Sequence, residues 1–154
     1  KIKSLAQLKQ EWAAEEASLH TGGFGYCQYE CKACTEACPT GAIEPMSLEA
    51  KRRSQIGRAR FEKQACIVVK NGTACGACAE HCPTQAAHMV PYGESLSVPQ
   101  VDPSLCIGCG ACEYACPAQP KAMTVSGLRY HGTARRPWEA EEGPVVDPLE
   151  EFPF

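Results

Sequence analysis

Three groups of four cysteines constrain what this chain can fold around. The first is Cys27-x3-Cys31-x2-Cys34-x3-Cys38 and the second is Cys66-x8-Cys75-x2-Cys78-x3-Cys82. The third is Cys106-x2-Cys109-x2-Cys112-x3-Cys116. A proline follows the last cysteine of each: Pro39, Pro83 and Pro117. These groups use all 12 cysteines of a 154-residue chain. One rhythm repeated three times asks for one physical cause.

The third group has the complete spacing by which bacterial ferredoxins hold a 4Fe-4S cluster. A cubane offers four iron corners a few ångströms apart. Thiolates two residues apart reach three of them only if the backbone wraps closely, which favours small residues. Gly76-Ala77, Gly108 and Gly110-Ala111 fill those gaps. The same wrap aims backbone N–H groups at the sulfurs, spreading negative charge and tuning the potential. The fourth cysteine lies one helical turn beyond the third and points away, and in two-cluster ferredoxins it ligates the neighbouring cluster. The proline after it has no N–H and a fixed φ, so the turn stops and the chain leaves.

The second and third groups are therefore expected to exchange their last ligands. Cys66, Cys75, Cys78 and Cys116 would hold one cluster, and Cys106, Cys109, Cys112 and Cys82 another. Cys27, Cys31, Cys34 and Cys38 remain for a third. Cys38 has the position of a lent ligand. Either the extra residue between Cys27 and Cys31 lets this group close on itself, or sequence upstream of Lys1 supplies a partner group. The chain starts at Lys1 rather than Met, so processing or a longer parent is expected.

Other uses of 12 thiols fit less well. A disulfide scaffold does not need the x2-x2-x3-Cys-Pro rhythm. Structural zinc takes two separated Cys-x2-Cys knuckles rather than closely spaced runs. Catalytic thiols do not come in twelves. His20, His81, His88 and His131 are scattered, none is required as a ligand, and His81 is expected to face solvent. No phosphate loop, nucleophile elbow or paired-carboxylate signature is present.

Composition agrees with a core that leans on metal. Two Trp, five Tyr and four Phe make few large side chains for 154 residues, and small thin cores borrow stability from cross-links or metal. The formal charge of −3 gives no sign of nucleic-acid binding. No apolar run reaches a membrane span.

Along the chain, Ile2, Leu5, Leu8, Trp12 and Leu19 give residues 2–19 helical spacing, which suits an amphipathic helix starting near Ser4 and broken by Gly22, Gly23 and Gly25. The segment 1–26 is read as this N-terminal helix and 27–60 as the first cluster segment with a charged connector. A short helix in that connector starts at Ser47, and its bases (Lys51, Arg52, Arg53, Arg58 and Arg60) read as a solvated face, with a docking patch as the alternative. The two-cluster module spans 61–127. Strands are expected at Ala59–Phe61, His88–Pro91, Ser97–Val101 and Ala122–Val125. "IVVKNGTA" reads as a loop turning at Asn71-Gly72. Residues 128–154, rich in Pro and acids, suit an extended tail.

The text "CTEACPTGAI", "IGRARF", "CGACAEHCPTQA" and "CIGCGACEYACPAQPKAM" resembles bacterial polyferredoxins. It is similar to the ferredoxin-type proteins of the periplasmic nitrate reductase and methylamine-utilisation systems. The resemblance covers about residues 27–127 and departs in showing three cysteine groups where members often have four. It implies an α+β, ferredoxin-like module of short strands and helices with pseudo-two-fold symmetry and two 4Fe-4S clusters, beside the N-terminal helix and the third cluster segment. It also implies a membrane quinol-oxidising partner and the periplasmic side of a bacterial membrane, with a cytoplasmic location as the alternative.

The expected function is single-electron relay through three 4Fe-4S clusters between a donor and a redox enzyme. The chain is expected to be a carrier rather than an enzyme, to bind protein redox partners, and to take neither nucleic acid nor a small-molecule substrate. The alternative is an iron–sulfur subunit of a larger oxidoreductase whose catalytic centre lies elsewhere. With about −2 on each oxidised, thiolate-ligated cluster, the loaded chain would carry about −9.

Overall fold

A computed structural model describes residues 25–136. The helix expected over 2–19 and the tail from residue 137 lie outside them. Short elements follow one another: α1 (Ala33–Ala37), α2 (Leu48–Arg53), β1 (Ser54–Phe61), a 3-10 turn (Lys63–Ala65), α3 (Ile67–Asn71), α4 (Ala77–Glu80), β2 (Ala87–Tyr92), β3 (Leu96–Val101), α5 (Ala111–Ala115) and β4 (Met123–Thr133). The strands form two antiparallel ribbons, β1 with β4 and β2 with β3. Among the described residues no helix is long and apolar enough to cross a membrane.

Local chemistry explains most boundaries. Ser47 caps α2 by accepting the Ala50 N–H at 3.1 Å, where the sequence places a helix start. The hairpin β2–β3 pairs Ala87 with Val101 through to Tyr92 with Leu96, and Gly93 turns it at φ +70°. It contains the two strands expected around residues 88–91 and 97–101. His81 is exposed, as expected, with Nδ1 2.9 Å from the Ala77 carbonyl.

Three local expectations are corrected. Residues 67–71 form a helix rather than a loop, despite two valines and an isoleucine. Gly72 stops it at φ +66°, its N–H bonding the Val68 carbonyl at 3.0 Å. Burial of Val68 in the core overrides the weak helix propensity of β-branched residues. Second, β1 begins at Ser54 rather than Ala59, inside the connector. Third, β4 continues to Thr133, past the expected start of the tail. These two extensions pair with each other, Ser54 with Thr133 and Gln55 with Gly132, so neither has a signal of its own. The register breaks between Gln55 and Gly57, where β4 runs from Gly132 to Gly127. His131 lies in β4, within that irregularity of register.

The core is made of small side chains and sulfur. Cys66, Val68, Cys78, Val98, Cys112, Cys116, Ala118, Ala122 and Met123 form one buried cluster.

Candidate metal centres

Two voids open in this core. One, about 330 Å³ with its mouth included, has Cys66, Cys75, Cys78 and Cys116 on its wall, with Phe61 and Met123. The other, about 320 Å³, has Cys82, Cys106, Cys109 and Cys112, with Ala59 and Val125. In each, three thiols come from one group and the fourth from the other.

The elements set these positions. Cys66 caps α3, Cys78 lies in α4, and Cys82 follows α4. Cys106 and Cys109 lie in the loop before α5, where Gly110 at φ +85° reverses the backbone to start the helix. Cys112 is in α5 and Cys116 ends it. Helices α4 and α5 pack together, which brings each last cysteine to the other group's void.

The walls suit an anionic sulfur-ligated group. The Ala59 N–H donates to Cys106 Sγ at 3.4 Å and the Ala87 N–H to Cys82 Sγ at 3.3 Å. Such bonds stabilise thiolate charge. Gln55, which the sequence did not single out, holds the loop from beneath: its Nε2 donates to the carbonyls of Pro103 (2.9 Å) and Cys106 (2.8 Å). Among the described residues no three Cys, His, Asp or Glu side chains converge as they would on a single ion. Thiols spread around a void match the several metal corners of a cluster, not one tetrahedral zinc.

Burial pushes the Cys112 thiol up to about 12, with the neighbouring Cys109, Cys82 and Cys106 adding to the rise. Burial likewise raises Cys78 to about 11 and moves Cys109 upward. Ligation by these thiols would require their deprotonation, so cluster binding would be coupled to proton release.

The first group is arranged differently. Cys31 and Cys34 are exposed, and Cys27 and Cys38 are half-buried. Cys27 and Cys34 line a third void, about 830 Å³ with its mouth, together with Lys51, Ile107, Cys109 and His131. Cys31 and Cys38 are not on its wall. Cys38 instead lies against Thr40 Oγ1 at 3.6 Å. That contact, then the backbone N–H of Ile43, pulls its thiol down to about 7. Cys82 has the same setting, with Thr84 Oγ1 at 3.7 Å and the N–H five residues on.

Lys51 corrects the reading of its basic run as a solvated face. It is only 9% exposed, and its Nζ donates to the carbonyls of Gln28 and, at 3.0 Å, Tyr29. Arg52 pairs with Glu30, and the Arg53 Nε donates to the Ala134 carbonyl at 3.2 Å. Arg58 and Arg60 do face solvent. A lysine among arginines carries no mark of burial, so only the packing of α2 against residues 28–30 reveals its place.

Residues 26–86 and 71–119 each match the family model described as "4Fe-4S dicluster domain". Together the matches run from 26 to 119, more than half of the chain. The chain belongs to the 4Fe-4S dicluster domain family. This dicluster protein is thus a ferredoxin-type, metal-binding iron–sulfur protein of the electron-transfer class. The second match takes in seven of the eight cysteines that wall the first two voids, from Cys75 to Cys116, and leaves out Cys66. The first match takes in the whole Cys27–Cys38 group. No curated protein matches the chain significantly.

Proposed function

We propose that this dicluster protein relays single electrons between a donor and a redox enzyme through three 4Fe-4S clusters. The observation that carries this is the pair of voids, each walled by four cysteines in a three-plus-one exchange. Cys66, Cys75, Cys78 and Cys116 would hold one cluster, and Cys106, Cys109, Cys112 and Cys82 the second. Cys27, Cys31 and Cys34, with Cys38 or a ligand from beyond the described residues, would hold the third. When bound, a 4Fe-4S cluster accepts or gives up one electron. The chain's own part is to fix the sulfurs, shield the two inner sites with alanine and valine, and offer N–H groups to sulfur charge.

The test is anaerobic iron and acid-labile sulfide quantification with a redox titration followed by EPR. About twelve iron per chain is expected, for three cubanes. About eight would leave the first group unloaded and overturn the three-cluster reading. Absence of iron and sulfide would overturn all of it.

The subunit reading is favoured by Cys38. Its sulfur is set like that of Cys82, yet it lines none of the three voids. A ligand of that form suits a site completed by another segment or chain. By resemblance the partner is a membrane quinol-oxidising complex, and exposed Arg58 and Arg60 would offer it positive charge.

Lys51 gives this reading a further measurable consequence. Among the described residues the buried Lys51 ammonium, on the wall beside Cys27 and Cys34, is held by carbonyls and meets no carboxylate, and an anionic cluster would supply a counter-charge. The ammonium favours the reduced, more negative state of that cluster. In Lys51→Met the potential of the first cluster therefore falls. Were a cluster held ~8 Å from that charge, at an effective dielectric of ~20, the interaction would be worth about 2 kcal/mol. At ~59 mV per 1.4 kcal/mol for one electron, the drop is on the order of 90 mV. An EPR-monitored titration checks it, and an unmoved potential at full iron content would refute the role.

A further inference from the structure

The two four-cysteine sites are built as mates, and at one position the match fails. Each lent cysteine is followed by a proline and then by a residue on the wall of the void that cysteine joins. After Cys82 it is Thr84, on the wall with Cys106, Cys109 and Cys112. After Cys116 it is Ala118, on the wall with Cys66, Cys75 and Cys78. Both are buried, at 7% and 2% exposure. Thr84 Oγ1 lies 3.7 Å from Cys82 Sγ. Gln85 then turns the chain back through φ +57°, and the Ala87 N–H meets the same sulfur at 3.3 Å. On the other side a methyl stands where the hydroxyl would be. Five residues on from Cys116, Lys121 instead donates through Nζ to the Cys116 carbonyl at 2.6 Å. Among the described residues no N–H or O–H donates to the Cys116 sulfur.

We infer that the Thr84 hydroxyl raises the reduction potential of the Cys82/Cys106/Cys109/Cys112 site, and that Ala118 leaves the other site without that control. This rests on the reading of the two voids as 4Fe-4S sites. A ligating thiolate has no proton, so between Thr84 and Cys82 the hydroxyl donates and the sulfur accepts. The bond is buried, where a hydrogen bond is stronger than in water. An added electron makes the ligating sulfurs more negative, and hydrogen bonds to charged acceptors are the stronger ones. The donor therefore stabilises the reduced state more than the oxidised one. One electron enters per site, from a reductant outside the chain, and no bond or proton changes hands. The bland alternative is that Thr84 only fills its corner, as Ala118 does.

The test is an anaerobic titration of the full, iron-loaded chain with dithionite and mediators, followed by EPR. Thr84→Val keeps the shape and removes the donor. It should lower one midpoint, holding the electron roughly tenfold less tightly, or ~59 mV for a one-electron couple, and leave the others in place. Thr84→Ser keeps a hydroxyl and should restore that midpoint. Ala118→Ser sets a donor at the matching place and should raise a different midpoint. An unmoved midpoint in Thr84→Val at full iron content would overturn the inference. So would a Thr84→Ser midpoint as low as that of Thr84→Val, because packing would then set the value. If Thr84→Val loses its iron, Ala118→Ser decides, and unmoved midpoints there refute the hydroxyl's role. Failure of the underlying reading looks different: the wild-type chain itself would hold no reducible iron and sulfide.

Discussion

Removal of iron and sulfide under anaerobic, reducing conditions unfolds this protein. Among the described residues no element can stand alone: the helices there are four to six residues long, far below the ~12–15 residues at which an isolated helix is even marginal. Both sheets have two strands, and a single two-stranded ribbon is marginal in water. The buried cluster offers little in their place: of its larger side chains only Met123 and Val68 are fully buried, and four of its nine members are cysteines that face the voids. Structural zinc contributes ~10–16 kcal/mol to the fold of small domains. If each of two clusters contributes even half of that, their sum matches the ~5–15 kcal/mol by which domains are stable at all. The expected result is loss of the cooperative thermal transition and of near-ultraviolet circular dichroism. Reductant must be present throughout, so that disulfides do not replace the cross-links. A metal-free, fully reduced protein that still melts cooperatively near the holoprotein's temperature would show that side-chain packing suffices.

That dependence explains what the sequence could and could not disclose. Cysteine spacing is local, and it encodes how tightly the backbone must curl, so the family and its cofactor are legible from it. The helix start at Ser47 and the hairpin around Gly93 are legible for the same reason, since a cap and a turn are set within a few residues. Lys51, Gln55 and the long ends of β1 and β4 are not. Lys51 and Gln55 act on carbonyls 22 to 51 residues away in the chain, and no local pattern records such partners. Residues 54–55 and 132–133 are strands only because they face each other. The helix Ile67–Asn71 is hidden by β-branched residues whose burial, not their propensity, sets their conformation. The placement of the first group beside the third is likewise a tertiary fact. Chain order puts the second group between them.

The same tertiary closeness gives Gly108→Ala the closest backbone clash among the described glycines. Gly108 lies between Cys106 and Cys109 with φ at +71°, where an L side chain is strained. Strain alone costs about 1–2 kcal/mol. The steric clash is worse: a Cβ there would lie 2.3 Å from the N, Cα and C atoms of Gly57. Backbone cannot rotate aside as a side chain can. Gly57 cannot retreat either, because it is packed against the Ser126 carbonyl of β4, 2.8 Å from where its own Cβ would be. The cysteine loop must therefore lift off β1. That breaks the Ile56 N–H bond to the Ile107 carbonyl (3.1 Å) and withdraws the Ala59 N–H from Cys106 Sγ (3.4 Å). Gly108→Ala should lose the Cys82/Cys106/Cys109/Cys112 cluster, about four iron and four sulfide per chain, with a large fall in thermal midpoint. Gly93→Ala is the matched control. Its φ is +70°, but nothing lies within 4 Å of its added methyl, so it carries the ~1–2 kcal/mol strain alone and keeps its iron. If Gly108→Ala retains full iron and melts with Gly93→Ala, the close approach of the two glycine backbones does not hold the site.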